Sequence, residues 1–542
     1  MNMKNIYNGT ACYDDLKHLI NSVAKDFADS PAFAYSDGDR KVEITFKGFK
    51  SDIDALGTYL YSIGFNGGKK IAVLGENSYN WVVSYFAVAN GGNIVLPIDK
   101  ELKPNEVANL LDRSETDLLI YSKQKQKCVD EIKETGVFTQ NFICMEEFSA
   151  HIENGRELIE SGNKDFIDCK INPEEMCAII YTSGTTGIPK GVMLSQKNLV
   201  KDAYYSISCI KIPRDTVAIL PLNHTFGFMA SILCQIWMGY CVYMNNSVKT
   251  VLKDIKDAKP GHISVVPLYV ENIYKKIWQT AEKQGKADLL RKTIKASNAM
   301  RKVGIDLRRK LFKSVLDNFG GNLEMIISGG APIDDIYMKG FDDLGIMIIN
   351  GFGITECSPI VALNRHDDIK EGTVGKPILN VNVKIENPDE NGEGEIWVKG
   401  DIVMLGYYKN EEATADVIKD GWFNTGDIGK LLDDGYLKIT GRKKNLIILA
   451  NGKNVYPEEI ETLIARIDNV TEVLVYEEDE LIVAEIFSDA EGDKEKIKEQ
   501  IKSDVQKVNS MLAGYKQVKK IKFRSVEFEK KTTKKIKRAY KN

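Results

Sequence analysis

Short apolar runs rich in β-branched residues alternate with longer stretches of helical period along most of the chain. The runs are KKIAVLGEN from Lys69, CAIIYTSG from Cys177, TVAILPLN from Thr216, HISVVP from His262, LEMIISGG from Leu323 and IMIINGFG from Ile346. Each is apolar at consecutive rather than alternate positions, the pattern of a strand covered on both faces, so the alternation predicts an α/β fold. Several runs lead straight into Gly-rich or Ser/Thr-rich turns, and in open α/β sheets ligands sit at the carboxyl ends of strands. After about Gly441 the units become smaller and more charged. Pro457 opens a predicted helix with Ile460, Leu463, Ile464 and Ile467 on one face. A hairpin is predicted over Val473–Phe487, followed by a lysine-rich helix near 494–509. The expected architecture is a large region of α/β subdomains with mixed sheets, residues 1–441, and a small α+β domain, residues 442–542.

The most apolar stretch, Phe226–Met244, is interrupted by Ser231, Gln235 and Gly239 and lacks a basic flank, so it reads as a buried helix entering a strand rather than a membrane span. Composition narrows the class further. At 542 residues, 43% apolar and 28% charged, the chain has enough material for several cores, which excludes a peptide-sized binder and a disordered chain. A net charge of -4 is too balanced for a nucleic-acid coat.

Two segments depart from that balance. Residues 516–542 hold twelve Lys/Arg against two Glu, which points to an anionic partner for the tail. Residues 275–313 hold thirteen Lys/Arg against three Asp/Glu, a face able to rest transiently on anionic lipid headgroups. The nine cysteines include no CxxC pair, which disfavours a disulfide framework or a zinc site. The first residues, MNMKNIYNGTACYDDLKHLI, contain no apolar core of signal-peptide length. A cytoplasmic enzyme, peripheral at most at the inner membrane surface, is the expectation.

The strongest chemical signal is Tyr181-Thr182-Ser183-Gly184-Thr185-Thr186-Gly187-Ile188-Pro189-Lys190-Gly191, directly after an apolar strand. Small hydroxyl residues and glycines let backbone and side-chain donors wrap a polyphosphate, and Lys190 adds a point charge. The spacing is not that of a Walker A loop, because Pro189 precedes the lysine and Gly191 follows it. The string resembles the phosphate loop of adenylate-forming enzymes, the group of acyl-CoA synthetases, nonribosomal adenylation domains and firefly-type luciferases. Further motifs of that family occur in order: Pro221-Leu-Asn-His224, Ser328-Gly-Gly-Ala-Pro332, Gly351-Phe-Gly-Ile-Thr-Glu356, Gly394-Glu-Ile-Trp397 with Gly406-Tyr-Tyr408, Trp422-Phe-Asn-Thr-Gly-Asp427, Gly441-Arg-Lys-Lys444 and Asn451–Glu459.

The resemblance implies a role for each. Thr182, Ser183, Gly184, Thr185, Thr186, Gly187 and Lys190 would cradle the ATP phosphates. Gly329, Gly330, Ala331 and Pro332 would offer nearly bare backbone to the purine. Gly351, Phe352, Gly353 and Thr355 would continue that surface, Phe352 stacking on adenine where the family often has Tyr. Glu356 would hold Mg2+ through a hard carboxylate oxygen. Asp427 suits two ribose hydroxyls and Arg442 a ribose or phosphate contact. His224 would lie near the acyl carboxylate with an apolar tunnel beyond, and Lys444 would be the hinge of a mobile small domain. The tail Lys530–Arg538 resembles T-x-T-G-K-I-x-R. Thr533, Ile536 and Arg538 set the register, which makes Lys535 the catalytic lysine and puts Lys534 where many members have Gly.

Val266–Tyr274, the basic stretch after it and the lead-in Gly320–Gly330 resemble the long-chain fatty acyl-CoA synthetase branch. The implied activity is two-step ligation of a medium- to long-chain fatty acid to CoA through an acyl-adenylate, with ATP, CoA and Mg2+ and no nucleic acid. An acyl-AMP ligase loading a carrier protein, a short-chain or aryl acid-CoA ligase and, more remotely, a noncatalytic nucleotide-binding protein share the motifs.

Overall fold

The computed structural model describes residues 11–38, 40–138, 141–182, 189–245, 247, 249–449, 454–530 and 536–538. The expectations for Ser183, Gly184, Thr185, Thr186, Gly187 and Lys535 fall outside the described residues. The chain forms two compact units: Met1–Glu371 with Gly375–Asn382 and Lys399–Gly421, and Gly372–Val374 with Val383–Val398 and Trp422–Asn542.

All six apolar runs form strands. In the first unit a seven-stranded mixed sheet has the order Gly406–Tyr407, Lys190–Ser195 (β2), Met176–Thr182 (β1), Ile94–Ile98, Lys70–Leu74, Leu118–Tyr121 and Asn141–Cys144. The last five run parallel, whereas β2 lies antiparallel to β1 and to Gly406–Tyr407. Ala72, Leu74, Leu96, Leu119 and Ile179 pack on one face with Val107, Leu111, Val129 and Ile132 of flanking helices, and Ile71, Val73 and Val95 of the opposite face are fully buried too, which is why these strands are apolar on both faces. Helix α1 (Gln196–Cys209) follows β2 directly. Its start is fixed by Ser195, whose hydroxyl accepts from the Asn198 N–H while the Asn198 side chain accepts from the Ser195 N–H.

A second sheet runs His262–Val265, Met325–Ser328 (β3) and Met347–Gly353 (β4) in parallel, then Ile360–Leu363 and Lys376–Pro377 antiparallel. Ile263, Val265, Ile326 and Ile348 share a core with Phe341. The stretch from Phe226 is a buried helix entering a strand: helix Thr225–Phe228, a π-helical turn Met229–Leu233, helix Cys234–Trp237, then strand Val242–Met244. Gln235 Nε2, from helix Cys234–Trp237, donates at 2.8 Å to the Ala230 carbonyl inside the π turn. Among the described residues no helix is long and apolar enough to cross a membrane.

In the second unit Gly394–Lys399 pairs antiparallel with Trp422–Leu431 (β5), and β5 with Leu437–Arg442 (β6). Compactness thus divides the chain before the change of sequence character at Gly441, because the β5–β6 hairpin keeps both its strands in one unit. Helix α2 (Pro457–Ile464) and helix Lys494–Met511 pack on a three-stranded sheet of Glu472–Glu478 (β7), Leu481–Phe487 and Lys520–Arg524. α2 ends one turn earlier than its apolar stripe suggests. Ile460 and Ile464 are buried from the helix, while Ile467 packs against the same core from the turn beyond.

Candidate active site

The β1–β2 hairpin brings both ends of the phosphate-loop segment to one place. Thr182 and Lys190 are partners in the register, and the Thr182 hydroxyl donates to the Lys190 carbonyl at 3.5 Å. On the other side of β2, Tyr407 stands opposite Val192, and the Tyr408 N–H donates to the Gly191 carbonyl at 2.7 Å. This pairing places the Tyr407 ring under the Lys190 ammonium, 4.5 Å from the centroid, a cation–π distance. The Tyr407 hydroxyl in turn donates at 3.0 Å to Glu356 Oε1. Glu356 sits in the short turn Thr355–Cys357 after β4, and its carbonyl accepts from the Met404 N–H at 2.9 Å. Lys190 and Glu356, far apart in sequence, therefore converge on one tyrosine. Sequence reasoning placed Tyr407 only inside a motif and gave it no role. Its signal is strand pairing, which local pattern does not carry.

Among the described residues no group of three or more His, Cys, Asp or Glu gathers as a metal cage. A single half-buried carboxylate fits a magnesium ion of another kind, one that takes most of its ligands from phosphates and water.

Beside this lies an apolar cavity whose lining includes Phe226, Cys234, Phe352 and Ile360 and the glycine turns at the carboxyl ends of β3 and β4. Two glycines show why bare backbone is needed there. A Cβ on Gly329 would come within 2.8 Å of the Phe226 ring, and Gly330 has φ +82°. Gly351, Phe352 and Gly353 join the same wall. Ala331 is half-buried and Pro332 exposed, and Thr355 stands half-buried next to Glu356.

His224 precedes helix Thr225–Phe228 with an extended backbone, and its amide donates to the Pro221 carbonyl at 3.2 Å. Burial pushes its imidazole below the usual histidine range, and the Asp99 carboxylate opposes that only in part. Its Nε2 is buried with no hydrogen-bond partner among the described residues. Phe226, two residues on, lines the cavity, whereas His224 does not.

In the second unit Asp427 and Arg442 are opposite each other on β5 and β6. Arg442 Nε donates to Asp427 Oδ1 at 2.7 Å and Nη2 to Oδ2 at 3.4 Å, a fork on a carboxylate that is only 5% exposed. Thr425 holds the turn, its hydroxyl accepting from the Asp427 N–H at 3.0 Å and donating to the Ile396 carbonyl at 2.9 Å. Lys444 is exposed in the turn Lys443–Asn445.

The flanks of residues 531–535 are tied down. Lys530 and Ile536 form an antiparallel bridge, and the Lys537 N–H donates to the Glu529 carbonyl at 2.7 Å. Lys530 pairs with Glu472 and, at 2.8 Å, with Glu527. Arg538 Nη2 lies 2.5 Å from Glu461 Oε2 on α2, and Nη1 donates to the Val475 carbonyl at 3.0 Å.

Burial pushes the Glu461 carboxyl up to about 7, against the pull of Arg538. In the folded chain it keeps its proton through a window, from its ordinary 4.5 up to about 7, in which the unfolded chain has released it. The folded state then binds more protons, so stability falls as pH rises through that window. At ~1.4 kcal/mol per pKa unit the fall amounts to roughly 3 kcal/mol. Hydrogen exchange in α2 and β7 should become faster between pH 5 and 7 in the wild type and show a flatter profile in Glu461→Gln. Equal pH dependence in the two proteins would assign the effect to another group.

Residues 20–408 match the family described as AMP-binding enzyme, and residues 444–542 match the AMP-binding enzyme C-terminal domain. The long-chain-fatty-acid–CoA ligase FadD15 of Mycobacterium bovis is 29% identical over 460 residues, covering 77% of this chain and 72% of the relative. Among solved structures, a Mycobacterium tuberculosis fatty acyl CoA synthetase shares the fold with a TM-score of 0.68 at 24% identity over 96% of each chain. The anthranilate CoA ligase AuaEII, in complex with anthranoyl-AMP, shares it with a TM-score of 0.79 at 20% identity over 99% of this chain and 97% of its own. With a family match over most of its length and its motifs gathered at strand ends, the chain belongs to the AMP-binding enzymes.

Proposed function

We propose that the chain is an ATP-dependent fatty acid–CoA ligase acting on medium- to long-chain acids. The observation that carries this reading is the apolar cavity at the glycine-lined ends of β3 and β4, in the unit that also holds Lys190 and Glu356. In the first half-reaction the substrate carboxylate attacks the α-phosphorus of ATP and pyrophosphate leaves. In the second the CoA thiolate attacks the acyl-adenylate carbonyl and AMP leaves.

Lys190 and the loop 182–187 bind the phosphates, their charges and donors opposing the negative charge that grows in the transition state. Gly329–Pro332 and Gly351–Thr355 hold the adenine, with Phe352 stacked on it, and His224 lies toward the acyl carboxylate. Glu356 is the residue to hold Mg2+, which when bound supplies phosphate charge neutralisation. Asp427 and Arg442 take the ribose, Lys444 serves as the hinge of the small domain, residues 442–542, and Lys535 acts in adenylation.

We place the enzyme in the cytoplasm with transient contact at an anionic inner membrane surface. The basic stretch 275–313 supports that contact by exposing Leu289, Val303 and Ile305 among its lysines.

ATP–pyrophosphate exchange with acetate, benzoate and C6 to C18 acids, followed by CoA against a pantetheinylated carrier protein as acceptor, tests the reading. Acids of C12 to C18 should support exchange and transfer to CoA with AMP release. Efficient use of acetate or benzoate with none of palmitate would refute the fatty-acid branch, and transfer to the carrier alone would refute the CoA acceptor.

A further inference from the structure

Two hydroxyls interrupt the apolar wall of the cavity. Ser206 and Ser328 both line it, are 4% and 1% exposed, and have buried Oγ atoms with no hydrogen-bond partner among the described residues. An unpartnered hydroxyl in apolar surroundings costs about 1–3 kcal/mol, so each calls for an occupant that satisfies it. Ser328 ends β3 directly before Gly329, on the wall assigned to the nucleotide and the reacting carboxylate, and those groups account for it.

Ser206 belongs to a different wall, on α1 beside Ile207 and Ile210, where only the substrate's tail would run. Its surroundings are more polar than a hydrocarbon requires. Asp202 lies one helical turn earlier on the same face of α1 and is fully buried. Its Oδ2 accepts from the N–H of the cavity residue Ile360 at 3.3 Å, and its Oδ1 has no partner among the described residues. Burial raises its carboxyl well above the usual range. The adjoining helix supplies Cys234 to the cavity, and next to it, outside the lining, Ser231 Oγ and Gln235 Oε1 are also buried without partners among the described residues. A saturated chain leaves the Ser206 hydroxyl unsatisfied.

We propose that the cavity takes a carboxylic acid whose chain carries a hydrogen-bonding oxygen, a hydroxy or oxo fatty acid, and that Ser206 binds that oxygen. The proposal rests on the ligase reading above and narrows its substrate class.

The test compares kcat/KM for C16 and C18 acids, unsubstituted and with a hydroxyl or keto group at positions along the chain, in the wild type and in Ser206→Ala. At least one oxygenated isomer should be preferred about tenfold or more over the unsubstituted acid of equal length, and Ser206→Ala should collapse that ratio to within about twofold. The wild-type ratio decides the matter even if the variant folds poorly. Should no oxygenated isomer be preferred, or should Ser206→Ala leave the ratio intact because water alone meets these hydroxyls, the proposal is overturned while the ligase reading stands. Absence of exchange with every acid overturns both.

Discussion

Glu356→Gln is expected to lower ATP–pyrophosphate exchange by about 10²–10³-fold, the scale on which removal of one preorganised electrostatic group acts at a reacting centre, while leaving the fold intact. Glutamine matches glutamate in size, and its amide oxygen can still accept the Tyr407 hydroxyl that now bonds to Oε1. The backbone bond from Met404 is untouched. What disappears is the negative charge of the carboxylate, which is what would hold a magnesium ion there. Tyr407→Phe separates this from simple positioning. It keeps the ring under Lys190 and removes the hydroxyl's bond to Glu356, so a loss of about tenfold to a hundredfold is expected, the size of one hydrogen bond to a charged group. Near-normal magnesium-dependent exchange in Glu356→Gln would take this residue out of the metal site. A loss in Tyr407→Phe as large as that in Glu356→Gln would make Tyr407 more than a bridge.

How much of this is legible in the sequence depends on how local the cause is. The strand at Met325–Ser328 could be read because its residues are buried on both faces, so the apolar run itself is the signal. The end of α2 could not, because Ile467 meets the same core from a turn and its apolar character fits either state. The phosphate loop was visible as a string of residue types, yet the Lys190–Tyr407–Glu356 link was not. It depends on a two-residue edge strand pairing with β2 more than two hundred residues away in sequence. The Asp427–Arg442 fork has the same origin, since only the β5–β6 register makes the two residues neighbours. The polar wall behind Ser206 is less legible still. Serine at a helical position reads as neutral, and what marks it is the absence of a partner in the assembled core.

The second large effect concerns the tail. Lys535→Ala should abolish formation of the acyl-adenylate, yet largely spare conversion of supplied acyl-adenylate to thioester, and Lys534→Ala should do little to either. Lys535 itself lies outside the described residues, so the expectation rests on the register and on what holds the flanks. On one side Lys530 is fixed by Glu472 and Glu527, and on the other Arg538 is fixed by Glu461 and the Val475 carbonyl. Lys530 and Ile536, on either side of these residues, form an antiparallel bridge. The choice of Lys535 over Lys534 rests on the register that Thr533, Ile536 and Arg538 set in the sequence. In the proposed mechanism Lys535 bridges the acyl carboxylate and the α-phosphate only when the small domain is turned toward adenylation. It stabilises negative charge as that charge develops rather than in the ground state. The thioester step begins after the phosphate has been transferred and makes no such demand. Single-turnover adenylation and thioesterification of supplied acyl-adenylate, measured separately on each variant, decide the matter. If Lys534 proved the essential lysine, or if Lys535→Ala blocked both half-reactions equally in a folded protein, the register and the domain-rotation account would both have to be abandoned.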